Sequence, residues 1–267
     1  MTIPMIVCGA AGRMGRALTA LIDAEPGTHL HAAIENAGHP ALGQDAGTLA
    51  GVAPQGVPIT ADYAAAATAA SVTLDFTVPS AALAHLRTAV ERGAGIVIGT
   101  TGYSADEQRE LDALAPRTRC VIAANMSIGV TVLLQLGEAA ARTLGPAFDP
   151  EIVEIHHRMK VDAPSGTAPA LARAVAAGLD RDFEQSKRLA REGIVGKRTE
   201  QEIGIVALRG GDVVGDHTVV FAGMGERIEL THRAQSRECL ARGAVRAGLW
   251  VAGQAVGRYS MRDVLGL

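Results

Sequence analysis

The sequence predicts an α/β fold in which a doubly wound parallel sheet is followed by a second, α+β domain with a mixed or antiparallel sheet. The first half alternates short apolar runs with helical patterns, as βα units do. After about residue 125 this alternation stops, and longer strand-like segments follow one another across glycine-rich turns. A chain of 267 residues that is 48% hydrophobic is also large enough for two cores.

The predicted strands of the first half are short and apolar, and they comprise residues 3–8, 30–34, 72–76, 95–98 and 119–123. Apolar residues recur at helical spacing between them, in residues 14–22, 81–92 and 105–115. An alanine-rich tract at 61–70 suits either a surface helix or a connection. Strands and helices that alternate in this way build a parallel sheet with helices on both faces.

The second half begins with a long predicted helix at 130–143 and continues with the predicted strands 203–209, 213–222 and 227–232. Gly210-Gly211-Asp212 and Gly223-Met224-Gly225 separate these strands, and such turns are typical of antiparallel neighbours. An apolar helix is predicted at 239–256. Its periodicity does not show which domain it packs on.

Composition excludes several classes of function. The formal charge of −3 lacks the basic footprint of a nucleic-acid-binding protein. Three widely spaced cysteines favour neither a disulfide framework nor a cysteine-based zinc site, and they fit a reducing compartment. The first residues lack the pattern of a secretory signal, and no apolar run reaches the roughly 18 residues of a membrane span. We therefore expect a soluble, cytoplasmic protein without a metal site.

A glycine-rich turn, Gly-Ala-Ala-Gly-Arg-Met-Gly at residues 9–15, lies between the first predicted strand and helix. Glycines allow the backbone to approach a pyrophosphate, and the positive end of the helix meets its charge. The spacing is Gly-x-x-Gly-x-x-Gly, and the alternative is a tight turn without a ligand. Glu35 lies twenty residues beyond Gly15, where an acidic side chain can accept hydrogen bonds from an adenosine ribose.

Two further turns, at residues 99–102 and 123–127, follow predicted strands and are therefore placed to contact a nicotinamide. The alternative is ordinary helix capping by Ser104 and Ser127. Asn36 follows Glu35 without an arginine for a 2′-phosphate, and Glu35 would repel that group. We expect NADH to be used at least as well as NADPH.

The segment 154–168 combines proton donors with a candidate anion site. His156 can exchange a proton near neutral pH, and His157 and Lys160 can donate to a carboxylate. In a straight strand the two histidines point to opposite faces, so both reach one site only if the strand ends or bends between them. The alternatives are a structural histidine pair and a metal site, although no familiar ligand spacing accompanies the pair.

The turn Ser165-Gly166-Thr167 precedes a predicted helix at 168–177. Pro169 is permitted in the first turn of that helix. The free N–H groups at the start of a helix favour a carboxylate, so this turn is a candidate site for an anionic substrate.

Together these blocks resemble the 4-hydroxy-tetrahydrodipicolinate reductase family. The resemblance also extends to residues 75–77 (Asp-Phe-Thr) and 261–265 (Met-Arg-Asp-Val-Leu), and the blocks follow the family order along nearly the whole chain. It implies a Rossmann-type amino-terminal domain completed by the carboxy-terminal helix, with residues 1–126 and 238–267 binding the dinucleotide. It assigns residues 127–237 to a substrate-binding and tetramerisation domain with a mixed sheet, and it implies a homotetramer.

The resemblance also implies roles for individual residues. His156 would be the proton donor or acceptor, Lys160 a proton donor, and His157, Gly166 and Thr167 substrate-binding. The residues that it assigns to NADH or NADPH are Gly9, Ala10, Ala11, Gly12, Arg13, Met14, Glu35, Gly99, Thr100, Thr101, Ala123, Ala124, Asn125 and Met126. Two positions depart from the pattern: Asn36 replaces an arginine of some members, and Met159 replaces a third histidine of many.

The implied reaction reduces a cyclic imine dicarboxylate, 4-hydroxy-tetrahydrodipicolinate, via dihydrodipicolinate to tetrahydrodipicolinate in lysine and diaminopimelate biosynthesis. Hydride addition moves charge to the ring nitrogen, so a positioned acid and donors for two carboxylates belong together. One alternative is a semialdehyde dehydrogenase, which needs a catalytic cysteine. Another is a nicotinamide-sensing regulator, which has no use for His156 and Lys160.

Overall fold

The apolar runs of the first half form one seven-stranded sheet in the computed structural model, which describes residues 2–267. Its strands are β1 Ile3–Cys8, β2 Thr28–Ile34, β3 Ile59–Thr60, β4 Val72–Asp75, β5 Gly95–Ile98, β6 Arg119–Ile122 and β12 Gly257–Tyr259. They lie in the order β12-β6-β5-β4-β1-β2-β3, and all six pairs are parallel. The doubly wound parallel sheet is confirmed. The chain reverses direction across the sheet at β1, and ligands bind beside the carboxyl ends of strands at such a point.

Helices cover both faces of this sheet because its strands are apolar on both sides. The helices are α1 Arg13–Ala24, α2 Ala46–Ala50, α3 Tyr63–Ala66, α4 Pro79–Arg92, α5 Ala105–Leu114, α9 Glu238–Ala252 and α10 Met261–Leu265. In β1, Met5 and Val7 join one hydrophobic cluster, whereas Ile6 and Cys8 join another. The first cluster includes residues of α1 and α9, and the second includes residues of α4 and α5.

The carboxy-terminal helix α9 packs on the parallel sheet, which its periodicity alone did not show. Its residues Ala244, Val245 and Val251 are buried in the same cluster as Met5 and Leu74. Contacts divide the chain into two compact units, which we call unit 1 and unit 2. Unit 1 contains the chain up to Ile128 together with Glu238–Leu267, and unit 2 is Gly129–Arg237.

Unit 2 is built on a five-stranded mixed sheet. Its strands are β7 Asp149–His156, β8 Lys187–Arg188, β9 Ile203–Arg209, β10 Gly215–Ala222 and β11 Arg227–Ala234. The order is β11-β10-β7-β9-β8, in which β10 is antiparallel to β7 and β11, while β7, β9 and β8 run parallel. The remaining helices are α6 Ile128–Leu144, α7 Thr167–Gly178 and α8 Phe183–Ser186. The predicted mixed sheet is therefore confirmed.

The two faces of the mixed sheet differ in what covers them. Ile152, Val219 and Phe221 point to one face, where they pack with Leu171 and Val175 of α7 in a buried cluster. The register places a set of apolar residues on the opposite face, which we call the open face: Val153, Ile155, Val206, Leu208 and Val220. Val206 is 38% exposed and Leu208 is 47% exposed. This strand pattern leaves an apolar surface uncovered within unit 2.

Several short elements were not predicted from the sequence, namely α2, α8, β3, β8, β12 and α10. Strand β2 begins two residues before the predicted start, and β10 begins two residues after it. The alanine-rich tract forms the single helical turn α3, which ends in extended backbone at Ala67, and then a turn at residues 69–70. Across residues 2–267, none of the helices has the length and apolarity that a membrane crossing requires.

Candidate active site

The glycine turn after β1 is fixed by its own backbone. Gly9 has a φ of +73°, a conformation that favours glycine, and its N–H donates to the Ile34 carbonyl at 2.9 Å. The Gly12 N–H donates to the Gly9 carbonyl at 3.0 Å. A Cβ at Gly15 would overlap that same carbonyl oxygen. The outer glycines of the motif therefore allow a left-handed turn and close packing of α1 against it.

The N–H groups that remain for an anion belong to the start of α1. Gly9, Ala10 and Gly12 already donate to backbone carbonyls. Within the described residues, the N–H groups of Arg13 and Met14 donate no backbone hydrogen bond outside the helix, and a helix leaves its first N–H groups unused. A pyrophosphate would therefore meet this part of the predicted motif, where the helix dipole is positive.

Glu35 connects the end of β2 to the glycine turn. One carboxylate oxygen accepts the Ala11 N–H at 3.0 Å, and the other accepts the Asn36 N–H at 3.1 Å. Each oxygen retains a lone pair for a further donor. Glu35 also lines a cavity of about 480 Å³, together with the glycine turn, Asn36, Phe76, Thr77 and His85. A ribose beside the turn would therefore find an anchored acceptor.

Asp75, at the end of β4, organises the opposite side of this cavity. Its side chain is buried, and Oδ1 accepts both the N–H and the hydroxyl of Thr77, at 2.9 and 2.6 Å. Oδ2 lies 2.6 Å from Nδ1 of His85. The Thr100 hydroxyl donates to the Thr77 carbonyl at 3.0 Å. Asp75 thus holds the turns after β4 and β5. The sequence signal for this role is an aspartate at the end of an apolar strand.

The two predicted turns after β5 and β6 differ in which atoms they offer. A Cβ at Gly99 would overlap the Phe76 ring, so this glycine keeps the ring beside the cavity. Met126 is 1% exposed, its side chain packs in the core and its carbonyl lies against Gly243, so this residue offers almost no surface to a ligand. The Ser127 N–H donates to Asn125 Oδ1 at 2.8 Å. Ser104 caps α5 in a capping box, as the alternative interpretation proposed.

The buried cysteines do not suit a nucleophile. Burial, assisted by the nearby carboxylates of Asp75 and Glu35, raises the pKa of the Cys8 thiol well above its usual value. Burial also raises the pKa of Cys120 to about 12. Neither group supplies the thiolate that a semialdehyde dehydrogenase requires. Ligand atoms of Cys8, Asp75 and His85 lie within 4.8 Å of one another, but the hydrogen bonds of Asp75 and the protonated thiol fit a packed core better than a metal site.

In unit 2, the two candidate histidines separate at the end of a strand. Strand β7 ends at His156, and the His157 N–H donates to the Val213 carbonyl at 2.7 Å. The ending that the sequence argument required therefore lies between the two residues. His156 belongs to the buried face of β7 together with Glu154, and its Nδ1 lies 2.6 Å from a carboxylate oxygen of that residue.

Glu154 accepts hydrogen bonds from three directions. Besides His156, the Arg209 guanidinium binds both oxygens, at 2.8 and 2.9 Å, and the Ser165 N–H donates at 2.9 Å. Burial by itself would raise the pKa of Glu154, but the donors from Arg209, His156 and Ser165 outweigh it and hold the pKa below the usual value. The buried group is therefore a carboxylate at neutral pH.

His217, on the neighbouring strand β10, packs edge-on against the His156 ring with 5.2 Å between the centroids. Its Nε2 lies 2.9 Å from the Ser165 hydroxyl. Burial, with a contribution from His156, lowers the pKa of His217 to about 4. His217 is therefore neutral near pH 7, and it packs against the imidazole of His156 without adding charge.

The loop after β7 carries the candidate ammonium group and leads to the anion turn. Lys160 Nζ lies 2.9 Å from Asp162, and the Lys160 N–H donates to the His157 carbonyl at 3.1 Å. Helix α7 begins at Thr167, and Gly166 precedes it without a side chain to cap it. A Cβ at Gly166 would meet no atom within 4 Å, so the space beside this turn is open to a ligand.

Two family models together match almost the whole chain. The model described as dihydrodipicolinate reductase, N-terminus, matches residues 3–126, and the one described as dihydrodipicolinate reductase, C-terminus, matches residues 129–265. Curated relatives named 4-hydroxy-tetrahydrodipicolinate reductase are equally extensive matches. The protein from Pelobacter propionicus is 49% identical over 265 residues, which cover 99% of each chain. That from Thiobacillus denitrificans is 48% identical over the full length of both chains.

The fold is also similar to a solved structure, the dipicolinate-bound dihydrodipicolinate reductase from Paenisporosarcina sp. TG-14. The TM-score is 0.75 at 23% identity, and the match covers 98% of this chain and 99% of that one. This similarity supports the fold. The assignment to a family rests on the family models and the curated relatives. The resemblance inferred from the motifs is confirmed: this chain belongs to the dihydrodipicolinate reductase family and is an oxidoreductase.

Proposed function

We propose that this oxidoreductase converts 4-hydroxy-tetrahydrodipicolinate, via dihydrodipicolinate, to tetrahydrodipicolinate in lysine and diaminopimelate biosynthesis. The observation that carries the proposal is the arrangement at the end of β7, where the loop from His156 through Lys160 leads to the start of α7 with Gly166 at its N-cap. The same stretch supplies an imidazole, an ammonium group and an anion site. A doubly negative heterocycle that must gain a proton needs all three.

Unit 1 would hold the cofactor. The N–H groups of Arg13 and Met14 would bind the pyrophosphate, and Glu35 would accept hydrogen bonds from the adenosine ribose. The turns at residues 99–101 and 123–126 would contact the nicotinamide half. When bound, the nicotinamide supplies the hydride.

Unit 2 would hold the substrate. Glu154 occupies Nδ1 of His156, which leaves Nε2 to exchange a proton with the substrate. Lys160 would donate a proton or bind a carboxylate once it leaves Asp162, which is a partner on the same loop. His157 and the N–H groups at Gly166 and Thr167 would bind the substrate carboxylates. These donors stabilise the negative charge while the ring nitrogen gains electron density.

We infer that NADH serves at least as well as NADPH. The Glu35 carboxylate lines the cavity where a 2′-phosphate would lie, and Asn36 offers no positive charge to offset it. We expect kcat/KM for NADH to equal or exceed that for NADPH, and Asn36→Arg to raise the NADPH value selectively. Asn36→Gln is the matched control, since it lengthens the side chain without charge. A large NADPH advantage in the unaltered protein would contradict the inference.

One assay tests the reaction itself. The protein is incubated with NADH and freshly formed product of dihydrodipicolinate synthase, and the loss of reduced-nicotinamide absorbance is followed. We expect turnover that requires both components. A nicotinamide-sensing regulator would bind NADH without oxidising it, and a semialdehyde dehydrogenase would oxidise an aldehyde with NAD⁺ instead.

We further propose that the protein is a cytoplasmic homotetramer. The open face supports the assembly, because valine, isoleucine and leucine side chains form an apolar surface on a sheet whose other face is already packed. Another copy of the chain offers the same surface, so copies can bury it against one another. Three free cysteines agree with a reducing compartment.

A further inference from the structure

One buried carboxylate in unit 2, that of Glu154, is hydrogen-bonded both to His156 and to the turn that precedes α7. The Glu154 side chain is fully buried, and each of its oxygens accepts two hydrogen bonds. One oxygen accepts from His156 and Arg209, and the other accepts from Ser165 and Arg209. A buried carboxylate without such donors would be strongly destabilising, so this network is specific to an ionised group.

The hydrogen bond between His156 and Glu154 determines which ring nitrogen of His156 is left for the substrate. An ionised carboxylate only accepts hydrogen bonds, so Nδ1 at 2.6 Å must carry the proton. In the neutral ring, Nε2 then holds the free lone pair, and it has no hydrogen-bond partner within the described part of the chain. Since the orientation of an imidazole follows from the bond made by its other nitrogen, Glu154 determines both the tautomer and the direction of Nε2.

The second contact fixes the anion turn. Glu154 accepts the Ser165 N–H at 2.9 Å, directly before Gly166 and the first residue of α7. The Ser165 hydroxyl is held from the other side by His217. The position of the N–H groups at Gly166 and Thr167 therefore depends on the same carboxylate that orients His156, although eleven residues separate Glu154 from Ser165.

Arg209 completes the arrangement from β9. Parallel pairing places Arg209 opposite His156, and its guanidinium binds both oxygens of Glu154 and the Asp162 carbonyl at 2.6 Å. The positive charge balances the buried negative charge, so His156 does not have to be protonated to stabilise it. The imidazole remains available for proton exchange.

We propose that Glu154 is the positioning residue of this site, where a single buried carboxylate sets the tautomer of His156 and holds the turn that binds the substrate carboxylate. The proposal rests on the proposed function for the roles of His156 and Gly166. Its structural part concerns a tautomer and a turn, and it is measurable without turnover.

The tautomer is tested first in the unaltered protein by ¹⁵N NMR of histidine-labelled material, with the His156 signals assigned from His156→Ala. We expect neutral His156 to carry its proton on Nδ1. In Glu154→Gln the amide NH₂ faces the ring, so we expect the proton to move to Nε2. A proton on Nε2 in the unaltered protein would overturn the proposal.

Steady-state kinetics distinguish a positioning role of Glu154 from a general contribution to stability. Glu154→Gln retains one acceptor for Ser165 but loses the acceptor for Nδ1–H, so we expect kcat to fall by about 10²-fold, with a smaller change in substrate KM. Glu154→Ala removes both contacts, and we expect KM to rise as well. Glu154→Asp keeps the charge and should recover part of kcat.

Glu151→Gln is the matched control, because Glu151 lies on the same strand and pairs with Arg191 on the other face of the sheet. We expect this variant to keep the unaltered kcat and the proton of neutral His156 on Nδ1. Should Glu154→Gln fail to fold, the NMR result on the unaltered protein and the Glu154→Asp kinetics decide the matter. Normal kcat in a folded Glu154→Gln, with the proton of neutral His156 still on Nδ1, would refute the positioning role. Lack of turnover by the unaltered protein would refute the proposed function instead.

Discussion

His217 shows how a single residue couples the site to pH. Its pKa is lowered to about 4 by burial and by His156, so it stays neutral in the folded protein while the unfolded chain gains a proton below about pH 6.5. The unfolded state therefore binds more protons between these values, and stability falls as the pH falls from 6.5 to 4. The burial of His217 therefore makes the folded protein more stable near neutral pH than near pH 4.

We expect the free energy of unfolding to fall by roughly 3 kcal/mol through this group between pH 7 and pH 4, from about 1.4 kcal/mol per pKa unit. His217→Gln should remove that part of the pH dependence, which urea unfolding at a series of pH values measures. His31→Gln, which alters an exposed imidazole, is the control. Equal pH dependence in the unaltered protein and His217→Gln would contradict the burial argument.

The two residues that we propose to act on the substrate lead to a second prediction at this scale. His156→Ala and Lys160→Ala should each lower kcat by about 10²-fold or more, because each removes a proton donor or a positive charge beside the developing charge. Circular dichroism and NADH binding should be unchanged, since neither side chain belongs to unit 1. Full activity in both variants would remove them from the mechanism.

Some residues of the candidate site could be predicted from the sequence, and others could not. The glycine turn, Glu35 and the histidine pair were recognisable because their spacing is local. Glu154 and Arg209 are 55 residues apart, and only the parallel pairing of β7 with β9 makes them neighbours. His217 is likewise brought beside His156 by the antiparallel pairing of β10 with β7. Contacts across strands have no signature in a single sequence without the register.

At the scale of elements, α9 depends on a close approach to the main chain. A Cβ at Gly243 would overlap the Met126 carbonyl oxygen, so glycine allows the helix to lie directly against the end of the turn after β6. The same helix supplies Ala244, Val245 and Val251 to the core of unit 1. Displacing it would disturb both the core and a turn that we assign to the cofactor.

We expect Gly243→Ala to lower stability by about 1–3 kcal/mol through overpacking, and to weaken NADH binding. Thermal unfolding and fluorescence titration measure the two effects. Gly253→Ala is the control, because a Cβ there meets only the Trp250 carbonyl at 4.0 Å. A Gly243→Ala variant as stable as the unaltered protein would show that α9 can shift away from Met126 without a loss of stability.

Most long elements were predicted closely and most short ones were missed, but the eight-residue strand β7 was considered only at its end, beside the histidine pair. The predicted strand 203–209 matches β9, and 95–98 matches β5, because several apolar residues define each. Strands of two residues, such as β3 and β8, have no periodicity to detect. The predicted start of β10 was wrong at Val213, because its carbonyl accepts the His157 N–H instead of extending the strand.

At the scale of the whole molecule, the open face of unit 2 leads to a prediction about assembly. A charge placed there should separate copies of the chain, because burying an unpaired carboxylate costs more than the apolar contact gains. We expect Leu208→Glu to lower the mass measured by analytical ultracentrifugation from that of a tetramer. Leu136→Glu on α6, at a site of similar exposure (49%), is the control. Unchanged mass in Leu208→Glu would exclude this face from the interface.

Unit 1 is assembled from both ends of the chain, since β12 pairs with β6 at the sheet edge and α9 covers one face of the sheet. During synthesis, the first 128 residues leave the ribosome before β12 and α9 have been made. Residues 129–237 are contiguous, so the whole of unit 2 is synthesised before α9 and β12. Unit 1 therefore stays incomplete in the nascent chain until translation ends, although its first strand is the first part made.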